Sequence, residues 1–249
     1  MSIELVNVCK SFDSNEVLKG LSLTINDGQT TTIVGASGSG KSVALKHIVG
    51  LLRPDRGDVW VDEHNVSRLD QDSLYRLRRN IGYVFQFAAL FDSMTIGENV
   101  GMGLRRMPEL EEDEIRQRVS ECLALVELSG YEDRLPSQLS GGQRKRAGLA
   151  RAIATRPKYI LYDEPTTGLD PVTTAVIDEM IVRMSEELGV TGVIISHDMK
   201  SAFRISDRVA MLYEGMIRID GTPDEVRASD DPIVKGFIQG IPELMGAKS

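Results

Sequence analysis

The sequence predicts an α/β fold on three observations. Short apolar, strand-length runs alternate with stretches of helical spacing, the pattern of a layered α/β core. The octapeptide Gly35-Ala36-Ser37-Gly38-Ser39-Gly40-Lys41-Ser42 fits G-x-x-x-x-G-K-[ST] and stands between a strand-like run, Thr30–Val34, and a helical one, Val43–Leu51. A wholly helical stretch, about residues 87–155, interrupts the alternation as an inserted subdomain.

In order, Ile3–Val8 and the alternating Leu21, Leu23 and Ile25 read as strands that precede the run into the octapeptide. Arg53–Gly57 is a turn before the strand Val59–Val61, and Ile81–Phe85 is a buried strand that delivers Gln86. Ile115, Val119, Cys122, Leu123 and Val126 share one helix face. Leu139–Gln143 opens a second helix that runs to about Ala154 and is broken by Arg156-Pro157. Tyr159–Tyr162 is another apolar strand, ending at Asp163-Glu164. Asp170-Pro171 reads as an N-cap with proline in the first turn, and Gly189 as the C-cap of that helix. Val193–Ile195 is a further buried strand ahead of His197, and Val209–Tyr213 with Met216–Ile219 form a hairpin around Glu214-Gly215.

Bulk properties narrow the function. With 249 residues and 41% hydrophobic content the chain can bury a full core. Its 29 basic against 37 acidic residues leave a net charge of −8, which offers no general attraction for nucleic acid or anionic lipid. The two cysteines, Cys9 and Cys122, suggest a reducing compartment rather than a disulfide framework. No signal peptide is read at the N-terminus, and no run approaches the roughly 18 apolar residues of a membrane span. A membrane role therefore calls for a partner.

The octapeptide is a phosphate-binding loop in chemical terms. Its glycines let the backbone wrap closely, and the free N–H groups and positive dipole end of the following helix favour a polyphosphate. Lys41 can reach the terminal phosphates and the Ser42 hydroxyl can ligate Mg2+. Asp163, at a strand tip, fits a second Mg2+ anchor, and Glu164 can orient or deprotonate water. Gln86 and His197 also follow strands, where ligands of open α/β sheets bind. Taken singly, each is better read as solvated or structural; with the loop they read as a site. Ser140-Gly141-Gly142 is either a serine-capped helix start or a second anion cradle serving a nucleotide held by another copy. The apolar residues within Phe87–Val100 are either a docking groove or subdomain core.

Together these residues resemble the ATP-binding-cassette ATPases. Leu139–Gln143 matches that family's signature, and it keeps family order with the phosphate loop, Ile160–Pro165, Gly168-Leu169-Asp170 and His197; the likeness spans residues 3–240. It implies a P-loop NTPase core with a mostly parallel sheet, an N-terminal antiparallel β subdomain and an inserted helical subdomain. One domain, 1–240, is expected, with a core of about 1–86 and 156–240, a helical part of about 87–155, and a short tail, 241–249. It implies ATP and Mg2+, and a head-to-tail homodimer with two ATP molecules sandwiched between one copy's loop and the other's signature. Gly35, Ser37, Gly38, Ser39, Gly40, Lys41, Ser42 and Val43 would hold phosphates, with Ser140, Gly141 and Gly142 from the other copy; Phe12 would stack on adenine, unless it simply packs into the core. Ser42, Gln86 and Asp163 would hold Mg2+, Glu164 would polarise water, His197 would touch the γ-phosphate and Asp170 would line the dimer seam. Phe87–Val100, Arg144–Ala152, Asp231-Pro232 and Phe237–Gly240 are similar to the ATPases of Mla/Mce-type phospholipid transporters. The resemblance thus implies transmembrane permease subunits docking near residues 87–100, lipid-binding accessory subunits, no nucleic-acid partner, and a place on the cytoplasmic face of the inner membrane. An importer ATPase for another small substrate such as amino acids, and a non-transport cassette protein, are the alternatives.

Overall fold

The structure, a computed structural model, describes residues 2–245; the end of the expected tail, past Met245, lies outside the described residues. In chain order the elements are β1 (Ser2–Phe12), β2 (Asn15–Asn26), β3 (Thr30–Val34), α1 (Lys41–Ile48), β4 (Arg56–Val61), β5 (His64–Asn65), α2 (Gln71–Arg79), β6 (Ile81–Val84), α3 (Ile96–Gly101), α4 (Glu112–Leu125), α5 (Gly141–Ile153), β7 (Tyr159–Asp163), α6 (Pro171–Leu188), β8 (Thr191–Ser196), α7 (Met199–Ile205), β9 (Arg208–Tyr213), β10 (Met216–Gly221), α8 (Pro223–Arg227) and α9 (Pro232–Gln239). They fall into two compact units, Met1–Tyr75 with Thr191–Ser249, and Arg76–Val190.

In the first unit β1 pairs antiparallel with both β2 and β4, setting Ile3 opposite Ile25 and Val61, and Leu5 opposite Leu23 and Val59. All six side chains are buried, so one face of this antiparallel sheet is core, as its period-2 pattern dictates. A register shift follows Leu5, where Asn7 takes φ 49°; beyond it β1 continues to Phe12. The alternation readable in the sequence stops at that bulge, which is why the strand reads as ending at Val8.

β3 runs parallel to β8 and β9 in the same unit, and β9 and β10 form the antiparallel hairpin. Every residue of β3 and β8 is buried. Val34 of β3 packs in one cluster with Ala202 of α7, Val209 and Met211 of β9, Val226 of α8 and Val234 of α9. Parallel strands with both faces covered read as unbroken apolar runs, and β8 is one.

In the second unit β6 and β7 are parallel, Ile81 opposite Tyr159 and Val84 opposite Tyr162. Ile115, Val119, Cys122 and Leu123 are buried on α4, as their spacing predicts. α6 starts at an N-cap in which Asp170 Oδ1 accepts from the N–H groups of Val172 and Thr173, both at 3.0 Å, and it ends on a left-handed Gly189. The helical stretch read at 87–155 lies within this unit and carries α3, α4 and α5. α2, not among the elements read from the sequence, has Leu74 and Leu77 as its buried apolar anchors among polar and basic residues.

Candidate functional site

The phosphate loop leaves β3 at Gly35 and enters α1 at Lys41. Gly35 sits at φ 155° with its Cα facing the backbone: a Cβ there would lie 2.4 Å from the Leu212 carbonyl oxygen, so only glycine fits. Gly38 and Gly40 take φ of 76° and 104°, turning the loop into the helix start. Lys41 is buried, and its Nζ donates to the carbonyls of Gly35 (2.8 Å) and Ala36 (2.9 Å), clipping the loop's beginning to its end. Ser37 and Gly38 are exposed, while Ser42 and Val43 are half-buried in the first turn of α1. The Ser39 hydroxyl is buried with no partner among the described residues, an orphan suited to a phosphate oxygen.

Val34 stands opposite Ser196 in the parallel register of β3 and β8, so the loop and the exposed His197 leave the sheet side by side at its carboxyl end. Behind His197, Asp198 caps α7 by accepting from the N–H of Lys200 at 2.8 Å. Phe12 ends β1 at 41% exposure, its ring 5.6 Å from Lys10 Nζ. The approach to it is pinned by Asp55, whose carboxylate accepts from Lys10 Nζ and from the Ser11 N–H, each at 2.7 Å. Those two donors, the lysine first, hold the Asp55 carboxyl below its usual range.

In the second unit the register Val84–Tyr162 sends Gln86 and Glu164 out of β6 and β7 together. Gln86 Nε2 donates to Glu164 Oε2 at 3.3 Å, and the Thr167 hydroxyl donates to the same oxygen at 2.8 Å. Tyr83 Oη donates to Asp163 Oδ2 at 3.1 Å; burial first, and the Asp163 charge second, push that phenol well above its ordinary range. Glu164 itself is left-handed, at φ 48°. Tyr83, Thr167 and Lys145, whose ammonium donates to the Gln86 carbonyl and reaches the Glu164 carbonyl at 3.5 Å, are partners the sequence did not single out. All three stand within three residues of a motif, Tyr83 before Gln86, Lys145 after Gln143 and Thr167 after Glu164, but nothing in the spacing says which way their side chains turn.

Ser140 is the N-cap of α5 in a reciprocal box: its hydroxyl accepts from the Gln143 N–H (3.2 Å) and Gln143 Oε1 accepts from the Ser140 N–H (2.9 Å). Ser140, Gly141, Gly142 and Asp170 line one concavity of about 550 Å3, at which the N-termini of α5 and α6 converge. Two helix starts with glycines between them make a surface receptive to anions. A Cβ on Gly142 would come within 2.7 Å of Thr173 Cγ2, and Thr173 is held in place by its own bond to Asp170 Oδ2 at 2.5 Å.

The sequence-predicted residues thus gather in sets: the loop with His197, Gln86 with Asp163 and Glu164, and Ser140–Gly142 with Asp170. In the first unit the loop's orphaned hydroxyl and clipped lysine suit the phosphates of a nucleotide. In the second, the carboxylates at the β7 tip are oxygen donors of the kind Mg2+ takes.

Comparison with known proteins agrees with this chemistry. The ABC transporter family profile matches residues 18–167. The chain is 40% identical over 240 residues to "Probable ribonucleotide transport ATP-binding protein mkl" of Mycobacterium bovis, covering 96% of this chain and 67% of that one. It is equally 40% identical over 255 residues to "Protein TRIGALACTOSYLDIACYLGLYCEROL 3, chloroplastic" of Arabidopsis thaliana, covering 96% and 73% respectively. Among solved structures, a dimeric ATP-binding cassette in a post-hydrolysis state, bound to ADP and Pi, superposes with a TM-score of 0.82 at 36% identity, over 89% of this chain and 98% of that one.

Proposed function

Because the chain belongs to the ABC transporter family and is an ATPase that binds ATP with Mg2+, we propose that it energises a transporter moving phospholipid between the membranes of a bacterial envelope. The observation that carries the ATPase half is the lysine-clipped phosphate loop with its orphaned Ser39 hydroxyl, in a chain that matches the ABC transporter profile. The lipid half is supported by the likeness of residues 87–100 and 144–152 to phospholipid-transporter ATPases, and by 40% identity to a relative named for trigalactosyldiacylglycerol.

In this reading each residue has one task. The loop amides from Gly35 to Val43, with Lys41 and the Ser39 hydroxyl, hold the phosphates, and Phe12 stacks on the base. Ser42, Gln86 and Asp163 would hold Mg2+, which neutralises charge on the phosphate oxygens. Glu164, kept in place by Gln86 and Thr167, orients water and takes up its proton. His197 touches the γ-phosphate. Ser140, Gly141 and Gly142 of a second copy close over the nucleotide, with Asp170 at the seam.

Among the described residues no helix is long and apolar enough to cross a membrane. In this reading permease partners supply the transport path and the chain works against the cytoplasmic face of the membrane. Phe87, 79% exposed, and Phe91 offer those partners an apolar foothold beside Gln86. Buried Asn99 anchors that loop, donating to the carbonyls of Phe91, Met94 and Thr95 and accepting from the Phe91 N–H. Lipid-binding accessory subunits complete the assembly.

A second reading, transport of a small polar solute, is favoured by the equal identity to the ribonucleotide-named relative. The test is to purify the chain with its membrane partners, reconstitute them in proteoliposomes, and follow labelled phospholipid and labelled ribonucleotide separately. ATP-dependent phospholipid transfer supports the first reading; solute movement without lipid transfer replaces it. Recovery of the chain with ribosomes or nucleic acid instead of membranes would remove both.

A further inference from the structure

The three consecutive cations after the signature have three different destinations. Arg144 donates to the Leu139 carbonyl at 2.6 Å, closing the turn before its own helix. Arg146 reaches the Val126 and Glu127 carbonyls at 3.4 Å. Lys145 alone points under the catalytic turn: only 7% exposed, it donates to the Gln86 carbonyl and reaches the Glu164 carbonyl at 3.5 Å. We propose that Lys145 is a positioning residue for ATP hydrolysis, holding the main chain of Gln86 and Glu164 together so that their side chains face one reacting centre.

The physical case has three parts. First, burying an ammonium is costly unless its donors are satisfied, and here the acceptors are main-chain carbonyls of the two residues assigned to Mg2+ and water. Second, Glu164 is left-handed at φ 48°, a conformation that persists only where surroundings hold it. A cation on its carbonyl is such a hold. Third, α5 braces the same turn again one helical stretch later: Arg151 donates to the carbonyls of Ala89 (2.6 Å) and Ala88 (2.5 Å), which are themselves left-handed at φ 48° and 59°. The helix that begins at the signature therefore carries two clamps on the turn that follows β6. Misplacing a reacting group by about 1 Å costs on the order of a hundredfold in rate.

The inference rests on the assignment of Glu164 and Gln86 above, and the experiment separates the two. In the full chain, Lys145→Met, Lys145→Arg and Glu164→Gln are compared for kcat, KM, ATP dissociation constant and thermal midpoint. Lys145→Met should lower kcat roughly ten- to a hundredfold with ATP affinity within about twofold, because the phosphate loop is untouched. Lys145→Arg, which keeps charge and donors, should recover a large part of the rate. An unchanged kcat in the methionine variant, a parallel fall of kcat and ATP affinity, or an arginine variant as slow as the methionine one overturns the inference. If methionine prevents folding, Lys145→Gln is read by the same criteria. Normal turnover in Glu164→Gln would instead bring down the assignment beneath it, whereas a dead Glu164→Gln beside a fully active Lys145→Met would sink the lysine's role alone.

Discussion

The two turns proposed to bind and to hydrolyse ATP are built by opposite means. The phosphate loop is a local object: eight contiguous residues, glycines where no side chain fits, and a lysine that folds back onto carbonyls five and six positions away. The Gln86–Glu164 turn is a long-range one. Its two members are 78 residues apart, and the lysine beneath them lies 59 residues from Gln86. A loop made of backbone can bind phosphate with little help. A turn made of side chains on a left-handed residue depends on whatever packs behind it. Binding and hydrolysis should therefore fail separately.

Glu164→Gln gives the largest expected break. Removing a general base costs ~10²–10⁴-fold, so turnover should collapse while ATP binding persists and ATP-closed dimers accumulate on gel filtration. Unchanged hydrolysis would take Glu164 out of its role. Lys41→Ala should do the converse and weaken nucleotide binding itself by about 1.5–3 kcal/mol, roughly ten- to a hundredfold, measured by equilibrium titration. An unaltered affinity would mean the loop binds by amides alone. Asp55→Asn should be the mildest, since it touches neither turn but slackens the strand end that carries Phe12. Because the folded carboxyl pKa is depressed, its contribution is present above the ordinary carboxylate pKa of about 3.9 and is lost as pH falls through and below it. The variant should melt slightly below the parent at neutral pH, and the gap should close on acidification.

The same contrast explains what could be read in advance. The phosphate loop, the Asp163-Glu164 tip, the capped starts at Ser140 and Asp170, and the face of α4 are each written in adjacent or periodically spaced residues. Lys145 is not: in sequence it is one basic residue between two others, and only the fold sends it inward while its neighbours turn elsewhere. Asn99 likewise looks like an ordinary polar residue of a helix start, yet it is fully buried and ties up three carbonyls of the preceding loop. Tyr83 sits inside a strand that otherwise reads as core, and nothing local announces that its hydroxyl reaches Asp163. The Lys145 and Tyr83 contacts belong to pairings between distant segments, and those of Asn99, though local, depend on how the loop before α3 folds back; composition and spacing encode neither.

Gly142 leaves no room for even a methyl group beside Thr173, and Thr173 cannot turn away without surrendering its bond to Asp170. In the proposed pairing of two copies, a bulkier residue there would leave the copy that carries it fully able to load its own nucleotide, while spoiling the seat proposed to serve its neighbour. In a cell making both forms, the harm would land on the healthy molecule of each mixed pair, so a minority of altered protein would silence more than its share.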